Sequence, residues 1–321
     1  MTRIGNKTSI LPILYSVFPT EYERYIEPLG GSAAVLLGKE KPDKFEVFND
    51  QDGDLVNFFH VAKERTAELL LELGLLPSNS RRDFDAWRAF QQNRTYDYSH
   101  VQTQLDIIDT FVPPQWAEEL KQSYRSRVEN YEVRWAADYL KLTRLSYASD
   151  HNNFAGKPFT VTSILGLISE VGKRLEPVII ENLDFEHVIR RYDRPRAFFY
   201  LDPPYMDTEH FYPGEFGWED HLRLRDCLCG IQGMFLMSYN DCSASRDLYK
   251  DFMILDFSRH HSMAHKGNPQ ARFPELLIAN YDVYERERRK PSQISIFDLL
   301  GTPVDEQQML KERIIPCKNR V

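Results

Sequence analysis

The residues best suited to chemistry are Asp202-Pro203-Pro204-Tyr205, which close the run Ala197-Phe198-Phe199-Tyr200-Leu201. Five consecutive apolar or aromatic residues predict a strand buried on both faces. Pro203 holds Asp202 in an extended conformation, and Pro204 stiffens the turn and removes another N–H donor. The strand therefore ends in a rigid ledge bearing the Asp202 carboxylate, the Pro203 carbonyl and the Tyr205 ring. Two acceptors and a flat ring suit an exocyclic amine on a planar base, whose two N–H bonds need acceptors and whose face needs a stacking partner. In open α/β sheets such a ledge lies at the carboxyl ends of the strands, where ligands bind. The plain alternative is a strand ending in an ordinary Pro-Pro turn. A given tetrapeptide of this kind arises by accident in about one chain of this length in a thousand. The surrounding chain decides between the two.

A second constellation begins near the N-terminus. Arg24-Tyr25-Ile26-Glu27-Pro28 reads as a strand, Leu29-Gly30-Gly31-Ser32 as a tight turn, and Ala33 to Gly38 as the start of a helix. Strand, glycine turn and helix open a nucleotide-binding βαβ unit. Gly30 and Gly31 let the backbone approach a ligand closely, and the helix N-terminus favours a carboxylate. Phe45-Glu46-Val47-Phe48 is a second strand. Asp50 follows about twenty residues after the turn, where an acid can accept hydrogen bonds from ribose hydroxyls. Helix capping is the plain alternative, since Asp50, Asp52 and Asp54 all precede a helix.

These elements sit in a chain of 321 residues, enough for one large core with an insertion or for two modest domains. Hydrophobic content of 42% and charged content of 27% are those of a soluble globular protein. No apolar run has the length of a membrane span and no signal-peptide pattern opens the chain, so no membrane partner is expected. Four cysteines (Cys227, Cys229, Cys242, Cys317) lack disulfide or zinc spacing, which predicts a reducing, cytoplasmic setting and no metal. A net charge of −8 argues against non-specific coating of nucleic acid, though not against a DNA enzyme with its basic residues on one face.

The remaining elements follow from periodicity. Leu55, Phe58, Phe59, Ala62, Thr66, Leu69, Leu70 and Leu73 predict one core-facing helix stopped at Gly74. Between 77 and 165 strand signals vanish. Helical stretches at Asp83–Gln92 and Gln115–Ala148 carry tryptophans and balanced charges, which predicts a helical insertion. Strands resume at 177–182, followed by a short helix through Arg191, the Asp202 strand, a helix at Trp218–Cys229 and a strand at Met234–Asn240. Two more strands, Met253–Phe257 and Glu275–Tyr281, flank a polar loop with Arg259, His260, His261, His265, Lys266 and Arg272. That loop reads as a basic DNA contact rather than a metal site. The expected division is a core of residues 1–76 and 166–285, an insert of 77–165 and a tail of 286–321.

Tyr25–Val35 (YIEPLGGSAAV), Asn49–Leu55 (NDQDGDL) and Asp202–Tyr205 (DPPY), in that order, resemble the Dam-type DNA adenine-N6 methyltransferases. Gly5-Asn6-Lys7, Ala136–Tyr147, Glu181–Phe185 (ENLDF) and Ser238–Asp241 (SYND) are similar to other family segments. The resemblance implies an α/β, Rossmann-like methyltransferase fold with a mixed, mostly parallel sheet and an inserted helical target-recognition domain. It also implies S-adenosyl-L-methionine as cofactor and an adenine of double-stranded DNA as acceptor. By position, Leu29, Gly30, Gly31 and Ser32, with Glu27 and Pro28 leading into them, would hold the methionine moiety. Lys7 would lie near its carboxylate, Asp50 at the ribose, and Asp184 and Phe185 beside the adenine. Asp202, Pro203, Pro204 and Tyr205 would be catalytic, with Asp202 also facing the cofactor. Leu29 stands where many members have Phe, and Ala33 where many have Gly. Enzymes acting on cytosine N4, RNA or a protein amide more often carry Ser or Asn in place of Asp202, and a catalytically silent relative would not need the intact motif. In the tail, Gln293-Ile294-Ser295-Ile296-Phe297 resembles a sliding-clamp docking peptide, the alternative being an amphipathic segment packed on the core.

Overall fold

The computed structural model describes residues 7–75, 81–93, 99–129, 131–146, 151, 153–155, 162–206, 216–260 and 272–285. All seven segments expected to be strands are strands: β1 (Arg24–Glu27), β2 (Glu46–Asn49), β3 (Val178–Glu181), β4 (Ala197–Leu201), β5 (Met234–Asn240), β6 (Met253–His260) and β7 (Arg272–Ala279). They form one sheet in the order β3-β2-β1-β4-β5-β7-β6. β1 to β5 pair in parallel, whereas β7 runs antiparallel to both of its neighbours. The result is the mostly parallel, Rossmann-like sheet expected from the sequence. From β1 the chain winds outward through β2 to β3, then returns to place β4 on β1's other side. β1 and β4 thus flank the topological switch point, the crevice where open sheets bind ligands. β4 is buried at all five positions, as its apolar run requires.

Helices α1 (Leu11–Val17), α2 (Ala34–Gly38), α10 (Phe185–Tyr192), α11 (Trp218–Cys229) and α12 (Ser243–Leu248) accompany the sheet. The core of this unit joins Ile26, Val47, Phe199, Leu201, Phe235 and Met237 from the strands to Val188, Ile189, Leu224 and Leu228 from α10 and α11.

Described residues of 7–56 and 177–285 form one compact unit, and those of 57–176 form a second. The second is helical: the rest of α3 (Gly53–Glu64), then α4 (Thr66–Leu75), α5 (Arg81–Asn93), α6 (Ser99–Phe111), α7 (Pro114–Glu129), α8 (Tyr131–Leu145) and α9 (Thr162–Leu175). α4 packs on both α8 and α9, so the helical unit takes in elements on either side of 77–165. Phe84, Trp87, Leu142 and Leu145 form a local core between α5 and α8.

Two local expectations are corrected. The helix expected over 55–73 is two helices that break at Arg65. The Thr66 hydroxyl donates to the Ala62 carbonyl at 2.6 Å, and Gly172 packs so closely that a Cβ there would lie 2.5 Å from the same oxygen. Such back-bonding bends helices. Arg259, His260 and Arg272 were expected in a loop but belong to the paired ends of β6 and β7. His261, His265, Lys266 and the segment Gln293–Phe297 lie outside the described residues. No described helix is long and apolar enough to cross a membrane.

Candidate active site

β4 delivers Asp202 to the sheet's carboxyl edge. Counting one residue beyond the last paired positions, Asp202 stands opposite Ser238 of β5. The strand pleat puts Tyr200, two residues back, on the same face as Asp202. Asp202 Oδ1 receives two donors, Lys7 Nζ at 2.7 Å and Ser238 Oγ at 2.9 Å. Tyr200 lies behind them, its hydroxyl 3.0 Å from Ser238 Oγ. Among the described residues Oδ2 has no such partner, and none reaches the Pro203 carbonyl. One carboxylate oxygen is thus consumed by the protein and the other is left over.

Lys7 also donates to the Tyr205 hydroxyl at 2.9 Å and stands 4.9 Å from that ring's centroid. Burial alone would lower the Lys7 pKa; Asp202, together with Tyr200 and Glu275, overrides it and holds the ammonium above its ordinary value. Lys7 therefore stays charged and tethers carboxylate and ring together. The other side of Tyr205 meets Tyr239, with ring centroids 5.9 Å apart, and the buried Tyr239 hydroxyl bonds to His221 Nδ1. The half-buried Tyr205 ring is fixed from two directions.

The glycine turn occupies the adjacent strand end. Gly30 is required by contact, since a Cβ would fall 2.2 Å from the Phe48 ring. Gly31 is required by conformation, with φ +51°, and a Cβ there would meet nothing within 4 Å. Among the described residues nothing occupies the space a side chain at Gly31 would enter. Asn49, fully buried at the end of β2, ties three strand ends together. Its Nδ2 donates to the Pro28 carbonyl (2.7 Å) and the Leu183 carbonyl (2.9 Å), and its Oδ1 accepts from Leu183 N–H (2.8 Å). Asp50 then braces the turn: Oδ2 accepts from Gly31 N–H and Oδ1 from Asp52 N–H, both at 2.8 Å.

Two sets of groups therefore stand at the carboxyl ends of neighbouring strands on either side of the β1/β4 switch point: acceptors and a ring from β4, a glycine turn and a carboxylate from β1 and β2. The comparison with known families decides what this pairing is. Residues 4–263 match the model of the D12 class N6 adenine-specific DNA methyltransferase family. The chain belongs to this family. It is 25% identical over 86% of its length to the Type II methyltransferase M1.LlaDCHI of Lactococcus lactis subsp. cremoris, covering 93% of that protein. It is 20% identical over 86% of its length to the Type II methyltransferase M.CviBI of Paramecium bursaria Chlorella virus NC1A, covering 97% of it. The activity is methylation of adenine in DNA.

Several residues singled out in the methyltransferase sequence do structural work here. The Glu27 carboxylate is buried beneath the turn, 1% exposed, where it accepts from the Tyr25 hydroxyl at 2.6 Å and from the Leu36 N–H. Pro28 is buried beside it. Asp184 caps α10 through Glu186 N–H and accepts from Arg223 Nη2 at 2.7 Å. The Phe185 ring lies in the core, 2% exposed, with the Arg223 guanidinium 4.8 Å over its centroid. Asp184 Oδ1 is thus committed to the cap and to Arg223, and the Phe185 ring to the core. Leu29 is half-buried against the core and Ser32 is half-exposed in the turn. α2 has only five residues and its N-cap, Ala33, makes no side-chain cap.

Asn49, Tyr200, Tyr239 and His221 were not singled out. The one signal available for Asn49 was a polar residue closing an otherwise buried strand, which must find partners.

Two outcomes follow from this shell. Ala33 takes the left-handed φ of +53° that glycine adopts freely, and its methyl is buried. Ala33→Gly trades strain relief against a lost buried methyl and is expected to be within about 1 kcal/mol of wild type. Ala33→Val adds a β-branched side chain in a forbidden region and is expected to cost roughly 2–4 kcal/mol in urea unfolding. Glu27 is pushed up to about 8, chiefly by burial. Between its ordinary value of 4.5 and about 8 the folded protein holds a proton that the unfolded chain has lost. Stability therefore falls as pH rises through that window. Melting curves at pH 5, 6.5 and 8 should decline less steeply for Glu27→Gln, and identical slopes would exclude Glu27 as the source.

Proposed function

We propose that this methyltransferase uses S-adenosyl-L-methionine to methylate N6 of an adenine flipped out of double-stranded DNA, at a specific site. One observation carries the reading: Lys7 and Ser238 both bond Asp202 Oδ1, leaving Oδ2 and the Pro203 carbonyl as two acceptors beside the Tyr205 ring. An adenine amine offers two N–H donors. Its lone pair is delocalised into the purine, so it is a poor nucleophile. Hydrogen bonds to Oδ2 and to the Pro203 carbonyl favour a tetrahedral nitrogen and free that lone pair, while Pro204 keeps the ledge rigid. Positioning and a pre-arranged polar pocket supply the rate.

The residues present suit the cofactor. The open, positive-φ turn at Gly31 admits backbone contact with an amino acid moiety. Asp50 stands beside the turn with its carboxylate accepting from the Gly31 and Asp52 N–H groups, an acid placed where ribose hydroxyls can donate to it. Leu29, Gly30, Gly31 and Ser32 would hold the methionine part, and the Leu183–Phe185 backbone would border the adenine. When bound, S-adenosylmethionine supplies a sulfonium methyl, an electrophile that needs only in-line placement.

A base inside the stack must be extruded, at a cost of a few kcal/mol. Stacking on Tyr205 offsets about 1–3 kcal/mol of that. The helical unit would supply the contacts that choose the site. The relatives are Type II methyltransferases, which accords with a site-specific modification enzyme. The test is direct: incubate purified protein with plasmid and methyl-labelled S-adenosylmethionine, then map the modified bases. Label on N6 of adenine within one recurrent sequence is expected; label on cytosine, or none on DNA, overturns the reading.

A further inference from the structure

The Ser238 hydroxyl occupies Asp202 Oδ1, but nothing above uses the Tyr200 hydroxyl behind it, and Tyr200 and Ser238 are both buried, at 2% and 0% exposure. We infer that they form a directional relay that sets the rotation of the Asp202 carboxylate, making Tyr200 and Ser238 positioning residues for methyl transfer. The inference rests on the adenine reading and extends it from the residues that touch the base to those that aim them.

The geometry gives the direction. Ser238 Oγ lies 2.9 Å from Asp202 Oδ1, and a carboxylate oxygen only accepts, so the serine proton points there. That leaves the serine lone pairs for the Tyr200 hydroxyl at 3.0 Å, which must donate. Burial first, then the nearby Asp202 charge, hold the Tyr200 phenol well above its ordinary pKa, so the donor keeps its proton. Chained hydrogen bonds polarise one another, which strengthens the terminal bond to Oδ1.

A carboxylate joined to its chain by rotatable bonds needs more than one anchor. The Lys7 ammonium is a point charge on a flexible stem and would serve either oxygen equally well. Ser238, held on a central strand and directly opposite Asp202, does not share that freedom. It bonds one oxygen and thereby turns the other outward. Tyr200 in turn prevents the serine rotor from swinging away. The contribution is aim, felt in the reacting complex rather than in the affinity for either substrate.

The test compares Ser238→Ala, Ser238→Thr and Tyr200→Phe with wild type. Readouts are the single-turnover rate constant on a saturating cognate duplex, KM for S-adenosylmethionine, Kd for DNA, and melting temperature. Ser238→Ala should slow single turnover about 10- to 100-fold, the scale of a misplaced reacting group. KM and Kd should stay within about twofold of wild type. Tyr200→Phe should fall between Ser238→Ala and wild type, and Ser238→Thr, which keeps the hydroxyl, should recover most of the rate. Wild-type turnover in both Ser238→Ala and Tyr200→Phe overturns the relay. So does a parallel loss of rate, KM and melting temperature, which would mark a merely structural role. Should Ser238→Thr fail to fold, Tyr200→Phe, which adds no atom, decides alone. Failure of the underlying reading looks different: the wild-type protein itself would leave adenine unmodified.

Discussion

Asp202→Asn is expected to be as inactive as Asp202→Ala, although it preserves the shape of the side chain. Lys7 Nζ and Ser238 Oγ both donate to one oxygen of residue 202. In the amide these two donors compel the remaining oxygen to take that place. The NH2 group is then forced into the position of Oδ2, where it presents hydrogens to an amine that also presents hydrogens. The acceptor becomes a donor at the one point where the adenine requires an acceptor. Loss of a single pre-arranged polar contact to a reacting group costs about 10²- to 10³-fold in kcat. The inversion from acceptor to donor places Asn at or beyond the upper end. Asp202→Ala removes the contact too, but it also takes the carboxylate away from the buried Lys7 ammonium, and removing one partner of a buried ion pair is strongly destabilising. The amide variant loses the charge but keeps a hydrogen-bond acceptor for Lys7 and Ser238, so it should lose less stability than Asp202→Ala and retain cofactor affinity, which makes it the cleaner experiment. A single-turnover rate within tenfold of wild type for Asp202→Asn would mean that the carboxylate does not receive the amine.

How far the site could be read beforehand depended on the range of the interactions involved. β4 was legible because burial on both faces leaves an uninterrupted apolar run, Ala197 to Leu201, and the proline ledge followed directly from it. Gly30, Gly31 and Asp50 stood out because strand, glycine turn and an acid about twenty residues on form a recurring pattern, although Gly30 packs on Phe48 and Asp50 bonds Gly31 N–H 19 positions away. A turn needs positive φ, and an acid about twenty residues on lies at the next strand end. Asn49 was not legible. Its partners stand 21 and 134 positions away, and nothing in the residue type tells a strand-end cap from an ordinary turn asparagine. Phe185 shows what the motif left unsaid about packing. Its motif neighbourhood pointed to a cofactor contact, but a phenylalanine opening an amphipathic helix also fits the core, and there it is. The helical unit's limits escaped for a related reason. α4 and α9 carry the same apolar periodicity as core helices, and only the packing of α4 on α8 and of α9 on α4 assigns them to the second unit.

Asn49→Asp is the second change with a large expected effect, this time on the cofactor. The aspartate is isosteric and can still accept from the Leu183 N–H, but it has no donors for the Pro28 and Leu183 carbonyls. A carboxylate would lie against two carbonyl oxygens 2.7 and 2.9 Å away, in a position with no solvent exposure. Each buried acceptor left unpaired costs about 1–3 kcal/mol, more beside a charge. The strain is relieved only by moving strand ends apart, and those ends carry the turn at 29–32 and the Leu183–Phe185 backbone, the two walls proposed for the cofactor. Displacement of either by about 1 Å is enough for a loss of the order of 100-fold. The expected result is therefore a Kd for S-adenosylmethionine raised about 100-fold by calorimetry. DNA affinity should hold, since the Asp202 ledge hangs from β4 and β5. A control separates positioning from general damage: Phe235→Leu, a core change in the middle of the sheet, can be compared at matched loss of stability. If both variants weaken cofactor binding to the same degree, Asn49 is one more core residue. If Asn49→Asp alone does so, the cradle is built on its two N–H bonds.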